Sequence, residues 1–184
     1  MKDFIKTTIA SIAIGASSIA FANEADGVNH EGSSISGSAT NSSSTENDRK
    51  RVLAMVQMYT RSVNEGDVYP ELIENLWEHS PDVSNINIRG HQKGYEDIKQ
   101  NFYAPIFTAL KMRNLRMVTD QRQPAIYFFD NTAIVEFYWE IDAVTKKDNK
   151  AINAKGRETH VLRKKEGEWK LVHLHYSGMP IKQF

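Results

Sequence analysis

The feature that most constrains this chain is a two-stranded hairpin between residues 156 and 180. Glu166-Gly167 supplies its turn, because glycine tolerates positive φ and an acidic residue followed by glycine between alternating strands is a strong hairpin signal. With a period of two, the hairpin residues divide into one face with Glu158, His160, Leu162, Val172, Leu174 and Tyr176, and another with Thr159, Val161, Trp169, Leu171, His173 and His175. The pattern therefore predicts titratable groups on a largely apolar face, as in many ligand pockets.

The length and net charge of the chain limit the classes of protein to which it can belong. A chain of 184 residues fits one globular domain with additional segments. The formal net charge is zero, so the basic surface of a nucleic-acid-binding protein is not expected, and we predict no nucleic-acid partner. The absence of cysteine excludes disulfides, a thiol nucleophile and a lipid-bearing cysteine.

The N-terminal segment has the pattern of a secretory signal. Lys2 and Lys6 precede an apolar run that ends in Ala20-Phe21-Ala22, which predicts a signal peptide over residues 1–22. The alternative is a membrane anchor, but the run is shorter than the ~20 apolar residues that span a bilayer. Residues 23–46 are rich in Ser and Gly and predict a disordered leader. We therefore expect a periplasmic or secreted domain over residues 47–184, with no membrane contact after cleavage.

The remaining pattern predicts helices first and strands afterwards. An amphipathic helix is expected from Asp48 to Asn64, a short one after Pro70 with Trp77 in its buried stripe, and a third from Gly94 that Pro105 must kink or split. After Met112 the chain reads as antiparallel strands. The predicted fold class is α+β, a cone-shaped, barrel-like fold with N-terminal helices packed on a curved antiparallel sheet.

This order of helices and strands resembles the nuclear transport factor 2-like superfamily over residues 48 to 182. Two sequence motifs add to the resemblance, Asn64-Glu65-Gly66-Asp67 and Glu168 to His175. Within it, the C-terminal hairpin resembles the association (hub) domain of calcium/calmodulin-dependent protein kinase II and its stand-alone bacterial relatives, often labelled SnoaL-like. The matching motifs are Glu158-Thr159, Gly167-Glu168-Trp169, Val172 to His175 and Ser177 to Pro180. The resemblance implies three arginines in the hub pocket at the positions of Trp139, His160 and Tyr176. All three differ here, which indicates a more aromatic cavity.

Four side chains are the main candidates for a ligand pocket, namely Trp139, Glu158, His160 and Tyr176. A carboxylate beside an imidazole can act as a base with its orienting partner, and a buried tyrosine hydroxyl can polarise a carbonyl. The alternative is a hydrogen-bonded polar cluster that fixes the core.

Three further residues complete the candidate ligand-binding set. Arg89 and His91 bracket Gly90 in a loop that the resemblance places at the pocket mouth, where arginine can pair with a carboxylate. The alternative is an ordinary charged surface loop. Trp77 is expected to pack as a lid on the cavity, or simply within the core.

The sequence indicates no metal site, no cofactor and no defined catalytic residue. His173 and His175 have a spacing that can bind a metal, but no third ligand is evident and we expect them at a subunit contact instead. Ser177 lacks the nucleophile-elbow sequence of hydrolases.

The resulting hypothesis is an exported SnoaL-like domain that forms a homodimer or higher oligomer and binds a small hydrophobic or carboxylate-bearing molecule. The alternative is an acid/base enzyme that resembles polyketide cyclases or steroid isomerases and acts on a hydrophobic carbonyl compound, with Tyr59 and Asp82 near the comparable segments.

Overall fold

The structure is a computed structural model and describes residues 38–120 and 122–179, with side chains from residue 45 onward. The predicted signal peptide, most of the predicted leader and the last five residues lie outside these ranges. In the described ranges, no helix is both long and apolar enough to cross a membrane.

Two helices begin the domain. Helix α1 covers Ser38–Glu65, so it starts ten residues before the predicted Asp48, inside the tract assigned to the leader. Its buried positions Val52, Val56, Tyr59 and Val63 recur at helical spacing and face the sheet. Helix α2 covers Glu71–Leu76 after Pro70, and Trp77 follows it in extended conformation.

The third predicted helix is divided into three pieces. Helix α3 covers Tyr95–Ile98, a π-helical turn covers Lys99–Tyr103, and helix α4 covers Ala104–Ala109. Pro105 lies in the first turn of α4, directly after the π-helical turn, so its missing N–H falls where the hydrogen-bond pattern changes. The segment that Pro105 is expected to kink or split thus changes to a π-helical turn directly before α4.

Within the described residues, seven strands form one sheet in the order β2-β1-β7-β6-β5-β3, and β4 also pairs with β5. The strands are β1 (Ser84–Asn87), β2 (Gly90–Lys93), β3 (Leu110–Val118), β4 (Ala125–Phe129), β5 (Thr132–Thr145), β6 (Ala151–Lys165) and β7 (Glu168–Gly178). All pairings are antiparallel except that of β1 with β7. Helices packed on a mostly antiparallel sheet confirm the predicted α+β class.

A bulge in β7 corrects the predicted faces of the hairpin. Val161 pairs with His173 but the next residue, Leu162, pairs with Leu171, so Val172 is an extra residue on its strand. Leu171 and Trp169 therefore turn to the inner face, where they are buried, rather than sharing the outer face with His173. Strict alternation assigned them wrongly because an inserted residue reverses the face of every residue beyond it.

The core lies between the helices and the inner face of the sheet. Trp77, Leu76, Val135, Leu162, Leu171 and Leu174 are fully buried in it. Inner-face and outer-face residues alternate along β5, where Val135, Phe137 and Trp139 are buried and Glu136 is exposed. The helices thus cover one face of the sheet and leave the other accessible.

Candidate functional site

A buried polar cluster joins helix α1 to strand β6. The Tyr59 hydroxyl donates to Oε1 of Glu158 at 3.0 Å, and Oε2 of Glu158 lies 2.9 Å from Nε2 of His160. All three side chains are buried. The His160 ring meets the rings of Tyr59 and Phe137 edge-on, at centroid distances of 4.7 and 4.8 Å. Each carboxylate oxygen therefore has a partner within the core.

The electrostatics of this cluster keep Tyr59 as a hydrogen-bond donor. Burial raises the pKa of Tyr59 well above its ordinary value, and the adjacent Glu158 carboxylate acts in the same direction. A protonated phenol and an imidazole can orient a carboxylate that accepts a proton. Because both Glu158 oxygens are already engaged inside the core, the arrangement is that of a satisfied polar network.

Trp139 and Tyr176 form a second inner-face group with a different character. Their ring centroids are 4.9 Å apart, and Trp139 packs directly over Gly156. Tyr176 is half-buried, and burial followed by the charge of Glu158 raises its pKa. The buried Nε1 of Trp139 has no hydrogen-bond partner among the described residues. An indole N–H without a partner is a donor that a ligand oxygen can use.

Trp77 lies within the core rather than at an opening. Its Nε1 donates to the Tyr103 hydroxyl at 3.1 Å, and that hydroxyl is 2.9 Å from Oγ of Ser62. Trp77 has no exposed surface, and burial raises the pKa of Tyr103. Tyr103 was not identified from sequence, since a single helical period does not place a residue at the end of a π-helical turn on the inner face.

Arg89 and His91 lie at the turn between β1 and β2. Both are exposed, and the Arg89 backbone N–H donates to Oδ1 of Asn87 at 2.9 Å. His91 and His175 flank Ile86 in the sheet. The structure therefore places both residues apart from the Tyr59–Glu158–His160 cluster, on the accessible side of the β1–β2 hairpin.

Buried polar atoms without a hydrogen-bond partner among the described residues also occur on β1 and on α3. Asn85 is fully buried, and neither its Nδ2 nor its Oδ1 has a partner in the described part of the chain. The Tyr95 hydroxyl is likewise buried and unpaired, while its ring stacks on His79 at 4.1 Å. Polar residues in a four-residue strand give little sequence signal, because asparagine is equally common in turns.

The outer face carries the two remaining candidate histidines. Ser84 Oγ lies 2.7 Å from Nδ1 of His173, which is partly buried, and His175 is exposed. Burial lowers the pKa of His173, and the charges of His175 and His91 act in the same direction. Among the residues that the structure describes, no group of three or more His, Cys, Asp or Glu side chains is arranged to hold a metal ion.

The inner-face placement of Trp139, Glu158, His160 and Tyr176 is confirmed by the strand register. The structure divides them into a bonded pair and an aromatic pair. Their role in ligand binding stays a prediction. A cavity of about 270 Å³ is found on the opposite, outer face of the same strands.

Comparison with known proteins identifies similar domains. The family model of the calcium/calmodulin dependent protein kinase II association domain matches residues 48–180. A nuclear transport factor 2-like superfamily protein of Salmonella enterica serovar Typhimurium has 30% identity, with a TM-score of 0.70 over 76% of this chain and 96% of that chain. No protein with a curated function matches significantly.

Two solved kinase association domains share the fold. The calcium/calmodulin-dependent protein kinase II hub of S. rosetta has 25% identity and a TM-score of 0.57, over 71% of this chain and 95% of that chain. The association domain of the C. elegans kinase has 17% identity and a TM-score of 0.55, over 73% and 98%. The similarities extend over nearly the full length of both solved domains.

Proposed function

Because this chain belongs to the calcium/calmodulin-dependent protein kinase II association domain family, we propose that it is a self-associating domain whose outer sheet face contacts a second copy. The observation that carries this proposal is an apolar row across the accessible face. Tyr127, Ile134, Val161 and His173 are consecutive partners on β4, β5, β6 and β7. Their side chains therefore lie side by side.

The exposure of this row favours an interface. Tyr127 is 48% exposed, and the neighbouring Phe129, which points to the same face, is 59% exposed. Ile134 and Val161 are only partly covered. Contiguous apolar surface of this kind is typical of protein–protein contact sites, because its burial removes apolar area from water. Homo-oligomers usually use one such patch on both copies.

A second candidate function is small-molecule binding on the inner face, at the Trp139–Tyr176 pair. The unpaired, buried Nε1 of Trp139 supports it, together with the aromatic surface of the half-buried Tyr176. A small hydrophobic molecule with one acceptor oxygen would satisfy both groups. The alternative of acid/base catalysis by Glu158 has less support, since both of its oxygens are bonded within the core.

We also propose that this protein is exported from the cytosol. The signal-like pattern of residues 1–22 supports a periplasmic or secreted location, where a domain of this family would act apart from a cytosolic kinase. Protease treatment of intact cells, with fractionation of the periplasm, tests this location. Retention of the protein in the cytosol with its N-terminal segment uncleaved would overturn it.

Native mass spectrometry of the purified protein tests both functions in one measurement. We expect a dimer or larger assembly, and a Val161→Arg variant should shift it toward monomer because a charge at the centre of the row cannot be buried unpaired. Val68→Arg is the matched control, since Val68 is 67% exposed in the loop after α1. Circular dichroism should show that both variants fold.

The two outcomes are read separately. A wild-type protein that is monomeric at micromolar concentration would contradict self-association. A small molecule retained by the wild type and lost from Trp139→Ala, with the assembly intact, would support inner-face binding. Retention by both proteins would contradict a role for Trp139.

A further inference from the structure

The outer face of the sheet also carries a polar groove of about 270 Å³. Residues 122, 123 and 125, from the β3–β4 connection and the start of β4, line it beside the middle of β5, β6 and β7. Tyr138 pairs with Arg157, which pairs with Ser177. Each of the three is next in sequence to an inner-face residue, so its side chain points to the outer face. The groove is therefore separated by the thickness of the sheet from the Trp139–Tyr176 pair.

The charged side chains that point into this groove from the outer face make no ion pair with other described residues. Arg122 and Arg157 make no ion pair within the described part of the chain, whereas Arg51, Arg116 and Arg163 pair with carboxylates. Glu136 lines the same groove and lies diagonally across the strands from Arg157 without an ion pair to it among the described residues. The outward-pointing charges of Arg122, Arg157 and Glu136 sum to one net positive charge. Glu158 also borders the groove, but its carboxylate is bonded to Tyr59 and His160 on the inner face.

Neutral donors surround the arginines. The hydroxyls of Tyr138 and Thr159 make no hydrogen bond to other described residues, and both residues line the groove. The Ser177 hydroxyl has only a long contact, 3.5 Å to the backbone oxygen of Arg157. A guanidinium beside several free hydroxyls matches the oxygen atoms of a carboxylate, because the planar fork donates two parallel hydrogen bonds.

We propose that this groove binds a small carboxylate-bearing molecule, with Arg157 and Arg122 contacting the carboxylate and Tyr138 and Thr159 donating to its remaining oxygens. Its volume is near the lower end of small-molecule sites, so the ligand has only a few carbon atoms. Glu136 repels an anion placed near it, so a ligand with a single carboxylate is favoured over phosphate and over dicarboxylates. This site goes beyond the proposed self-association and does not depend on it.

A carboxylate for this groove can also be supplied by an acidic side chain of another copy of this chain. The groove adjoins the apolar row, because Glu136 and Thr159 lie one pair along β5 and β6 from Ile134 and Val161. A free molecule is favoured because the groove is a depression lined by donors from four segments of the chain. The experiment separates the two sources.

Isothermal titration calorimetry of the full-length purified protein with acetate, succinate, glutarate and inorganic phosphate tests the proposal. We expect saturable binding of at least one carboxylate at low ionic strength, with phosphate weaker. Arg157→Gln and Arg122→Gln should each raise the Kd about tenfold through loss of a charge-assisted contact. Glu136→Gln should lower the Kd. Arg61→Gln is the matched control, because Arg61 is exposed on α1 and does not line the groove.

Three results would overturn the proposal. The first is the absence of saturable binding by the wild type for every carboxylate tested. The second is an equal loss of affinity in Arg61→Gln, which would reveal a general charge effect. The third is dissociation of the assembly in Arg157→Gln, measured by native mass spectrometry, without a change in carboxylate affinity. Self-association that fails while carboxylate binding persists would leave this site standing.

Discussion

At the scale of single residues, the inner face shows that burial alone does not define a role. Glu158 and His160 are as deeply buried as Trp139, yet the first two bond to each other and to Tyr59, while the Trp139 indole has no partner in the described residues. Alternation along β6 predicted their common face. The partner on α1 was beyond sequence reasoning, because it lies 99 residues away and depends on helix packing.

Gly156 provides a prediction at this scale. A Cβ at this position would lie 2.3 Å from the backbone oxygen of Ser177 and 2.8 Å from Cζ2 of Trp139. Gly156→Ala should therefore displace Trp139 and lower the free energy of unfolding by about 1–3 kcal/mol through overpacking. Urea denaturation, followed by tryptophan fluorescence, measures both effects.

Gly178 is the matched control, because it is the partner of Gly156 on β7 and a Cβ there meets no atom within 4 Å. Gly178→Ala should leave the unfolding midpoint nearly unchanged. Equal destabilisation by the two substitutions would contradict close packing of Trp139 on Gly156 and would indicate a general preference for glycine at this strand pair.

At the scale of elements, the bulge at Val172 decides which side chains of β7 reach the core. The sequence predicted the hairpin and its turn at Glu166-Gly167. It placed Leu171 and Trp169 on the wrong face, since an unpaired residue interrupts the alternation. Tertiary contacts hold Trp169 on the inner face. Its ring lies 6.0 Å from that of Phe128, and its Nε1 donates to Oδ1 of Asp48 on α1 at 3.1 Å.

Two substitutions in β7 test this register. Leu171→Ala should lower the free energy of unfolding by about 2–5 kcal/mol, because it removes a fully buried side chain. Val172→Ala should cost about 1 kcal/mol or less, because Val172 is only partly buried. Chemical denaturation gives both values. A larger loss for Val172→Ala would support the uninterrupted alternation and contradict the bulge.

At the scale of the whole molecule, the two faces of one sheet have separate properties. The helices close the inner face over a polar network and an aromatic pair, whereas the outer face presents an apolar row beside a cationic groove. His173 lies at one end of that row and faces Ser84 from β1, His91 from β2, Val161 from β6 and His175 on its own strand. The stability of the folded state is thus coupled to a titratable group at the end of this row.

The pH dependence of unfolding follows from His173. Its pKa is lowered from an ordinary value near 6.5, chiefly by burial. The folded state therefore favours the neutral ring, and its contribution is present above about pH 6.5 and lost as the pH falls through the lowered pKa. We expect the free energy of unfolding to decrease between about pH 7 and pH 5, and His173→Gln to reduce this decrease. Urea unfolding over this pH series measures the slope, and an identical slope in the variant would contradict the assignment.

The sequence alone determined the helical segments, the strand-rich second half, the hairpin and the face that holds Trp139, Glu158, His160 and Tyr176, because periodicity and turn chemistry are local properties. The prediction of helices first and strands afterwards was incomplete, since β1 and β2 precede α3. It also indicated the family, through short sequence motifs at the end of α1 and in β7. The tertiary structure decided the bulge, the partners of Glu158, the full burial of Trp77 and the groove around Arg157. These features depend on contacts between residues far apart in the chain, whose geometry arises only when the helices pack on the twisted sheet.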